Sequence, residues 1–170
     1  MTQILVAYGS RHGGTAEIAH WIGDELRKAG LHVDVCDARS VREVTPYHAV
    51  ILGGAVYAGR WQRDARRLAR KQERVLREMP IWLFGSGPLG GGAGEPLRLP
   101  VWGMRRIAER LGARDHVTFG GRLRKDARGF LAAPLAKRFA GDYRDEEAVR
   151  AWARRIAAEL LSRSPRKVRS

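Results

Sequence analysis

Short apolar runs and amphipathic stretches alternate along most of the chain. Buried strands are typically short runs of apolar, β-branched residues, whereas apolar residues three and four positions apart predict helices. On this basis, strands are predicted at residues 3–8, 31–36, 48–52, 81–84 and 116–119. Helices are predicted to begin near residues 15, 62, 101 and 145. Each predicted strand but the second is therefore followed by a helix.

The predicted helices each carry an apolar face. For the stretch 62–78 this face is formed by Ala65, Leu68, Ala69, Gln72 and Leu76. For the last helix, capped by Asp145, it is formed by Val149, Trp152, Ala153, Ile156 and Leu160. Strands that alternate with helices indicate βαβ units, which require a parallel sheet covered on both faces. Five strands in a chain of this length fit the doubly wound order 2-1-3-4-5, whose ligand lies at the carboxyl ends of strands 1 and 3.

The length of 170 residues fits one domain, predicted to cover residues 1–161. Residues 162–170 (SRSPRKVRS) have no apolar periodicity and are predicted to be a basic, disordered tail. The single cysteine, Cys36, excludes a disulfide within the chain. No basic residue precedes the first apolar run, and no apolar stretch approaches the roughly 20 residues that span a bilayer. These features predict a cytoplasmic protein.

The charge is unevenly distributed along the chain. The net charge is +14, but residues 1–59 hold five Lys/Arg and six Asp/Glu. The excess of basic side chains therefore lies in residues 60–170. Such an excess predicts an anionic partner, the alternative being a solvated arginine-rich surface. The histidines His20, His32, His48 and His116 have no metal-ligand spacing, so no metal site is predicted.

Residues 9–15 (GSRHGGT) lie between the first strand and the first helix. The N–H groups of a first helical turn lack intrahelical partners and form the positive end of the helix, so they attract anions. Glycines let the chain curl around a phosphate, and hydroxyl groups add hydrogen bonds. The predicted phosphate site comprises Ser10, Arg11, His12, Gly13, Gly14 and Thr15. A plain strand-to-helix turn is the alternative.

Two other nucleotide motifs fit less well. No lysine precedes Thr15, so the loop is not a Walker A motif. A G-x-G-x-x-G pattern occurs at residues 85–90, after the fourth strand, but Pro88 and further glycines follow it where a dinucleotide-binding helix would begin. This glycine-rich segment, 85–96, is interpreted as a loop near the ligand.

The first loop resembles the FMN-phosphate loop of flavodoxins. The residues that carry the resemblance are Tyr8, Gly9, Ser10, Gly13, Thr15, Glu17 and Ala19. Within that group, the chain is similar to the menaquinone-dependent protoporphyrinogen oxidases and their flavodoxin-domain relatives. This similarity lies at residues 13–19, 53–61 and 120–123, and in the basic and aromatic segment before 141–142. It implies a flavodoxin-like α/β fold with a doubly wound, five-stranded parallel sheet, and FMN as the cofactor.

The resemblance also implies which residues surround the flavin ring. They are Ala55, Val56, Tyr57, Gly59, Trp61, Ser86, Gly87, Pro88, Leu89 and Gly90. Tyr57 and Trp61 are the aromatic candidates for stacking on the ring or on a flat substrate. Flavodoxins usually have Thr and Asn where this chain has His12 and Gly14, so backbone donors with Arg11 or a protonated His12 would hold the phosphate. The flavin carries the redox chemistry, and no catalytic acid or base is identified.

The function implied is an FMN-dependent oxidoreductase that oxidises protoporphyrinogen IX and passes the electrons to a membrane quinone. Basic residues near the ring suit the carboxylates of such a substrate, or the anionic inner face of a membrane. They are Arg60, Arg63, Arg122, Arg124 and Lys125. No nucleic-acid-reading motif is present, so nucleic acid is not a predicted partner. The alternatives are a flavodoxin-like electron carrier, and a fold that has lost FMN and serves as an interaction module.

Overall fold

The computed structural model describes residues 2–11, 13–57, 59–87, 102–120, 122–123, 141–142 and 145–163. Within these residues, five parallel strands form one sheet in the spatial order β2-β1-β3-β5-β6. These strands are β1 (Gln3–Gly9), β2 (His32–Asp37), β3 (Ala49–Tyr57), β5 (Ile81–Gly87) and β6 (Asp115–Gly120). When only these five parallel strands are numbered along the chain, their spatial order is 2-1-3-4-5. The predicted doubly wound order is therefore confirmed.

Helices cover both faces of the sheet. They are α1 (Gly14–Lys28), α2 (Arg63–Lys71), α3 (Glu73–Leu76), α4 (Trp102–Leu111) and α5 (Glu146–Arg163), with a short 3-10 helix at Ala38–Ser40. Two further strand pairs are antiparallel: β4 (Arg60–Trp61) pairs with the end of β3, and β7 (Arg122–Leu123) pairs with β8 (Gly141–Asp142).

Alternate side chains of the central strands supply two separate apolar cores. On β1, Ile4 and Val6 pack in the core that lies under α1 and α5, whereas Leu5 and Ala7 pack in the core under α2 and α4. A strand buried on both faces explains the uninterrupted apolar run at the start of the sequence. The predicted apolar face of α5, including Trp152, is buried as expected.

The third strand is longer than predicted, because it continues through Gly53 and Gly54 to Tyr57. These glycines pair with β1 on one side and with β5 on the other. A Cβ atom on Gly53 would lie 1.9 Å from Cζ of Phe84, so the ring of Phe84 fills the space above this glycine. The glycines therefore permit close packing inside the strand and do not end it.

Other boundaries also differ from the prediction. The stretch 62–78 forms two helices, α2 and α3, which meet at Gln72. The segment 85–87, predicted as loop, belongs to β5 and pairs with β6. The last helix includes Ser162 and Arg163, which the sequence assigned to the basic tail. Its predicted cap is present: Oδ1 of Asp145 accepts a hydrogen bond from the N–H of Ala148 over 3.0 Å.

Candidate functional site

The carboxyl ends of β1, β3 and β5 lie side by side at one edge of the sheet. They are paired there through Gly9 with Gly54, and through Ala55 with Ser86. α1 begins immediately beyond β1, so its N-terminal turn faces the same edge. This is the region in which doubly wound sheets bind their ligands.

The loop between β1 and α1 turns sharply into the helix. Gly13 is the N-cap residue, and its φ of 84° lies in the left-handed region that favours glycine. The hydroxyl oxygen of Ser10 accepts a hydrogen bond from the N–H of Gly13 over 3.0 Å. Gly13 has no side chain with which to cap the helix. The N–H groups of a first helical turn have no intrahelical partner, and in α1 the N-cap residue leaves them uncapped at the end of the helix that adjoins the edge of the sheet.

The predicted phosphate residues differ in how accessible they are. Ser10 is partly exposed and Arg11 is exposed, whereas Gly14 and Thr15 are buried, Thr15 to 2% exposure. Accessible groups of the loop are thus the backbone, the Ser10 hydroxyl and the Arg11 guanidinium. His12 lies outside the described residues.

Arg11 and Tyr57 lie at this edge, on the loop after β1 and at the end of β3. Tyr57 is the last residue of β3 and is half-buried. Burial raises the pKa of its phenol, and the positive charge of Arg11 partly opposes this shift. The loop after β1 and the end of β3 therefore share one electrostatic environment.

Gln62 packs against β1 at the same edge of the sheet. The sequence analysis did not select this residue. A Cβ atom on Gly9 would lie 2.0 Å from Oε1 of Gln62, so a side chain at this position of β1 would displace the Gln62 amide. The same Oε1 caps α2 by accepting hydrogen bonds from the N–H groups of Asp64 (2.6 Å) and Ala65 (3.0 Å). The signal available in the sequence was a polar residue directly before a helix.

Four of the predicted ring-binding residues lie inside the sheet. Ala55 and Val56 belong to β3, and Ser86 and Gly87 belong to β5, where all four are buried. The side chain of Val56 packs beside Gly85, which directs it into the core under α2 and α4. These residues form the wall of the edge. Gly59, with φ of 72°, is exposed at the hairpin turn before β4.

The stacking role predicted for Trp61 is wrong. Its indole is 1% exposed and packs in the core under α2 and α4. The indole N–H donates a hydrogen bond to the backbone carbonyl of Phe84 over 3.0 Å. Because β4 folds back onto β3, this side chain turns inward and its faces are covered by protein.

Thr118 places a buried polar atom close to the wall of the edge. It is 5% exposed, and its hydroxyl has no hydrogen-bond partner among the described residues. Its Oγ1 lies 3.3 Å from the position that a Cβ on Gly85 would occupy. A buried hydroxyl without a partner is uncommon and carries a desolvation cost. The sequence showed only a polar residue within a strand.

The predicted anion-binding residues are spread over three regions. Arg60 is exposed on β4, next to the edge, and Arg63 is exposed at the start of α2. Arg122 belongs to β7, where its backbone lies opposite that of Asp142 in the antiparallel strand pair. Arg124 and Lys125, together with the predicted ring contacts Pro88, Leu89 and Gly90, lie outside the described residues.

Neither a metal-binding cluster nor a membrane-spanning helix occurs among the residues that the structure describes. They contain no group of three or more His, Cys, Asp and Glu side chains that could hold a metal ion. Among the described helices, none combines the length and the apolar character needed to cross a bilayer.

The fold and the edge described above define a flavodoxin-like α/β domain. The chain belongs to the flavodoxin domain family, whose model Flavodoxin_5 matches residues 5–133. It is also similar, with 27% identity over 78 residues, to the protein named protoporphyrinogen IX dehydrogenase [quinone] of Escherichia coli strain K12. That match covers 45% of this chain and 43% of the curated relative, so it spans less than half of either protein.

Solved structures share the fold at low sequence identity. A flavodoxin from the domain Archaea superposes with a TM-score of 0.62 and 16% identity, over 94% of this chain and 99% of the other. The rubredoxin oxygen:oxidoreductase of Desulfovibrio gigas gives a TM-score of 0.64 and 14% identity, over 95% of this chain and 37% of the other. At such identities the likeness establishes the fold.

Proposed function

We propose that this chain binds FMN at the carboxyl edge of its sheet and uses it to oxidise a porphyrinogen, with the electrons passed to a quinone. The observation that carries the first half is the unpaired first turn of α1 behind the Ser10–Gly13 turn. Membership of the flavodoxin domain family supports the cofactor. The similarity to protoporphyrinogen IX dehydrogenase [quinone] supports the reaction.

In this proposal the FMN phosphate is held by the backbone N–H groups of Gly14 and Thr15 and by the Ser10 hydroxyl, while Gly13, whose N–H donates to Ser10, forms the turn around the phosphate. Such donors at a helix N-terminus suit a dianion, because the helix dipole adds to their charge. The exposed guanidinium of Arg11 supplies a further positive charge. His12 belongs to the same proposed set.

The isoalloxazine ring would lie against Tyr57, between the ends of β3 and β5. Gly59 would let the backbone approach the ring, and the main chain of residues 55–56 and 86–87 would form the wall behind it. Pro88, Leu89 and Gly90 complete the proposed ring site. Bound FMN supplies the electron-transfer chemistry, and the protein orients it and sets its electrostatics.

Arg60 and Arg63 would hold the carboxylates of the substrate. Both are exposed, and the β4 hairpin places Arg60 next to Tyr57, with which it is paired. Arg122, Arg124 and Lys125 are proposed to serve the same substrate, or to contact an anionic membrane that contains the quinone. Binding of that kind would make the protein peripheral on the inner face of the cell membrane.

The FMN proposal is tested with two substitutions at one position. Ser10→Asp keeps an acceptor for the N–H of Gly13 but places a negative charge against the phosphate. Ser10→Asn is its neutral match. We expect Ser10→Asp to weaken FMN binding by about 100-fold, because charge-assisted contacts are replaced by repulsion, whereas Ser10→Asn stays close to the parent. Titration of FMN by fluorescence quenching measures both; equal affinities would contradict the proposal.

The reaction is tested anaerobically with the FMN-loaded protein. Protoporphyrinogen IX should bleach the flavin absorbance, and a quinone should then restore it. Arg60→Ala should raise KM more than it lowers kcat, because a residue that only holds carboxylates binds substrate and transition state equally. Arg155→Ala, which removes an exposed arginine of α5, is the control. A flavin that no porphyrinogen reduces would contradict the proposed reaction.

Two other functions are compatible with the fold. Membership of the flavodoxin domain family favours an electron carrier. Rapid electron exchange with a flavoprotein reductase, without reduction by porphyrinogen, would identify it. The replacements at His12 and Gly14 favour an interaction module without FMN. A purified protein that is colourless and fails to bind added FMN would identify this second case.

A further inference from the structure

A groove of about 630 Å³ lies between α2 and α4, on the face of the sheet opposite α1 and α5. Its walls carry five arginines, which we call the arginine groove: Arg63, Arg66, Arg67, Arg70 and Arg110. The apolar part of its lining comes from Ala69, Ile107 and Leu111. Glu73 is the acidic residue that lines it.

Four of these arginines lie on one face of α2. Residues spaced by three, four and seven positions along a helix share a face, and this spacing relates Arg66, Arg67 and Arg70 to Arg63. The four arginines therefore extend over about two turns of α2. At a rise of 1.5 Å per residue, this row is about 10 Å long. The arginine groove is therefore a short, straight row of guanidinium groups with Arg110 on the opposite wall.

The four arginines of α2 have no salt bridge within the described part of the chain. Glu73 is already paired with Arg110, through distances of 3.3 and 2.5 Å from Nε and Nη2 to its carboxylate oxygens. Like charges three and four positions apart on a helix repel one another. A row of this kind is stabilised when an anion with several charges occupies the space between the helices.

We propose that the arginine groove binds a small organic anion that carries two or more phosphate groups. Its volume lies in the range of small-ligand sites, and its concave shape brings donors from two helices to one ligand. Bidentate guanidinium–phosphate pairs suit the exposed, planar groups available here. Ile107 and Leu111 offer an apolar surface to the organic part of the ligand.

Two macromolecular ligands fit the arginine groove less well. A membrane-docking face needs apolar side chains that enter the bilayer, yet the exposed large apolar residue of the described chain, Leu161, lies on α5 on the other face of the sheet. Single-stranded nucleic acid binds on aromatic platforms, and none of the described side chains that line the arginine groove is aromatic. Arg63 is shared with the proposed substrate contacts, whereas Arg66, Arg67, Arg70 and Arg110 play no part in the redox function, so the proposal is tested at residues of this second group.

Isothermal titration calorimetry with adenosine triphosphate, in EDTA, tests the proposal. Arg66→Glu/Arg70→Glu should weaken binding by about tenfold or more, and the neutral pair Arg66→Gln/Arg70→Gln should weaken it less. Arg155→Glu/Arg163→Glu makes the same charge change at exposed arginines of α5, on the other face of the sheet, and should bind like the parent. Ser10→Asp should also bind like the parent, which separates this site from the phosphate loop.

Three results would overturn the proposal. One is equal weakening by the two charge-reversal pairs, which would indicate attraction to net charge alone. Another is a loss of binding in Ser10→Asp, which would assign the ligand to the phosphate loop. The third is tighter binding of anionic vesicles or of an RNA oligonucleotide than of the triphosphate, with the same dependence on Arg66 and Arg70.

Discussion

Trp61 and Phe84 are joined by a hydrogen bond of 3.0 Å from the indole N–H to the backbone carbonyl. The bond connects the β4 hairpin to the centre of the sheet, next to the edge that carries the candidate site. Both partners are buried, so the carbonyl has no access to water if the donor is lost. The hairpin that presents Arg60 and Tyr57 is thus held by this buried side-chain bond as well as by its pairing with β3.

Trp61→Phe is expected to lower the free energy of unfolding by about 0.5–1.5 kcal/mol, because it removes a buried hydrogen bond that water cannot replace. Trp152→Phe is the matched control. It removes an indole N–H bond to Asp115 (3.1 Å), a partly exposed residue that water can reach. Urea unfolding measures both variants. A loss at Trp61 no larger than that at Trp152 would show that the buried bond contributes nothing extra.

Gly53→Ala should destabilise the protein by about 1–3 kcal/mol, because the new methyl group meets the ring of Phe84 in a filled core. Gly103→Ala serves as the control, since a Cβ there has no heavy atom within 4 Å. On α4, alanine should instead raise stability by up to about 1 kcal/mol through helix propensity. Thermal unfolding of both variants measures whether the melting temperature falls for Gly53→Ala and rises for Gly103→Ala. Similar melting temperatures would contradict the close approach at Gly53.

Glu25 should make stability depend on pH in the acid range. Burial disfavours its charged form, but hydrogen bonds from Lys28 and Arg150 outweigh this, and the pKa is lowered below 4.5. A lowered pKa in the folded state gives stability that is present above pH 4.5 and is lost as the pH falls through the folded value.

Glu25→Gln should therefore lower the free energy of unfolding by about 1–3 kcal/mol at neutral pH. The difference from the parent should shrink below pH 4.5. Asp24→Asn removes an exposed carboxylate on the same helix, 3.5 Å from Arg27, and should change stability by less than about 0.5 kcal/mol. Denaturant unfolding at several pH values measures the difference. A gap independent of pH would contradict the ionised state of Glu25.

Tyr57→Leu should weaken FMN binding by about 3- to 10-fold if its ring stacks on the flavin, as aromatic pairs contribute about 0.5–1.5 kcal/mol beyond their buried area. Tyr57→Phe keeps the ring and should bind like the parent. Tyr47→Leu is the control away from the edge, where the phenol donates to Asp34 over 2.7 Å. Fluorescence titration compares the three. Equal affinities for Tyr57→Leu and the parent would exclude stacking.

The order of the sheet and the start of α1 were predictable because both depend on local patterns. Short apolar runs predict the strands, and the glycine-rich loop after the first run predicts the start of α1. Its N-cap, Gly13, has a left-handed backbone conformation that glycine adopts easily. The continuation of β3 through Gly53 and Gly54 was not predictable, since glycine disfavours strands locally. The compensating partner, Phe84, lies on another strand.

The candidate site was predictable only in part, for a similar reason. The loop Ser10–Gly13 is contiguous in sequence, so its turn could be anticipated. The burial of Trp61 depends on a hairpin that folds the residue under the sheet. Glu73 and Arg110 are 37 residues apart, and their pairing depends on how α3 and α4 pack. Contacts between distant segments leave no periodic signal in the sequence.

The ion pairs of Glu25 with Arg150 and Arg154 have a consequence for how the protein is made. They tie α1, which carries the phosphate loop, to α5, which follows the other described elements along the chain. During synthesis, α1 leaves the ribosome early but cannot bury this carboxylate until α5 has emerged. The helix that carries the phosphate loop therefore gains these ion pairs only at the end of synthesis. A nascent chain stalled before Asp145 should be cleaved by protease within α1 more readily than the released protein.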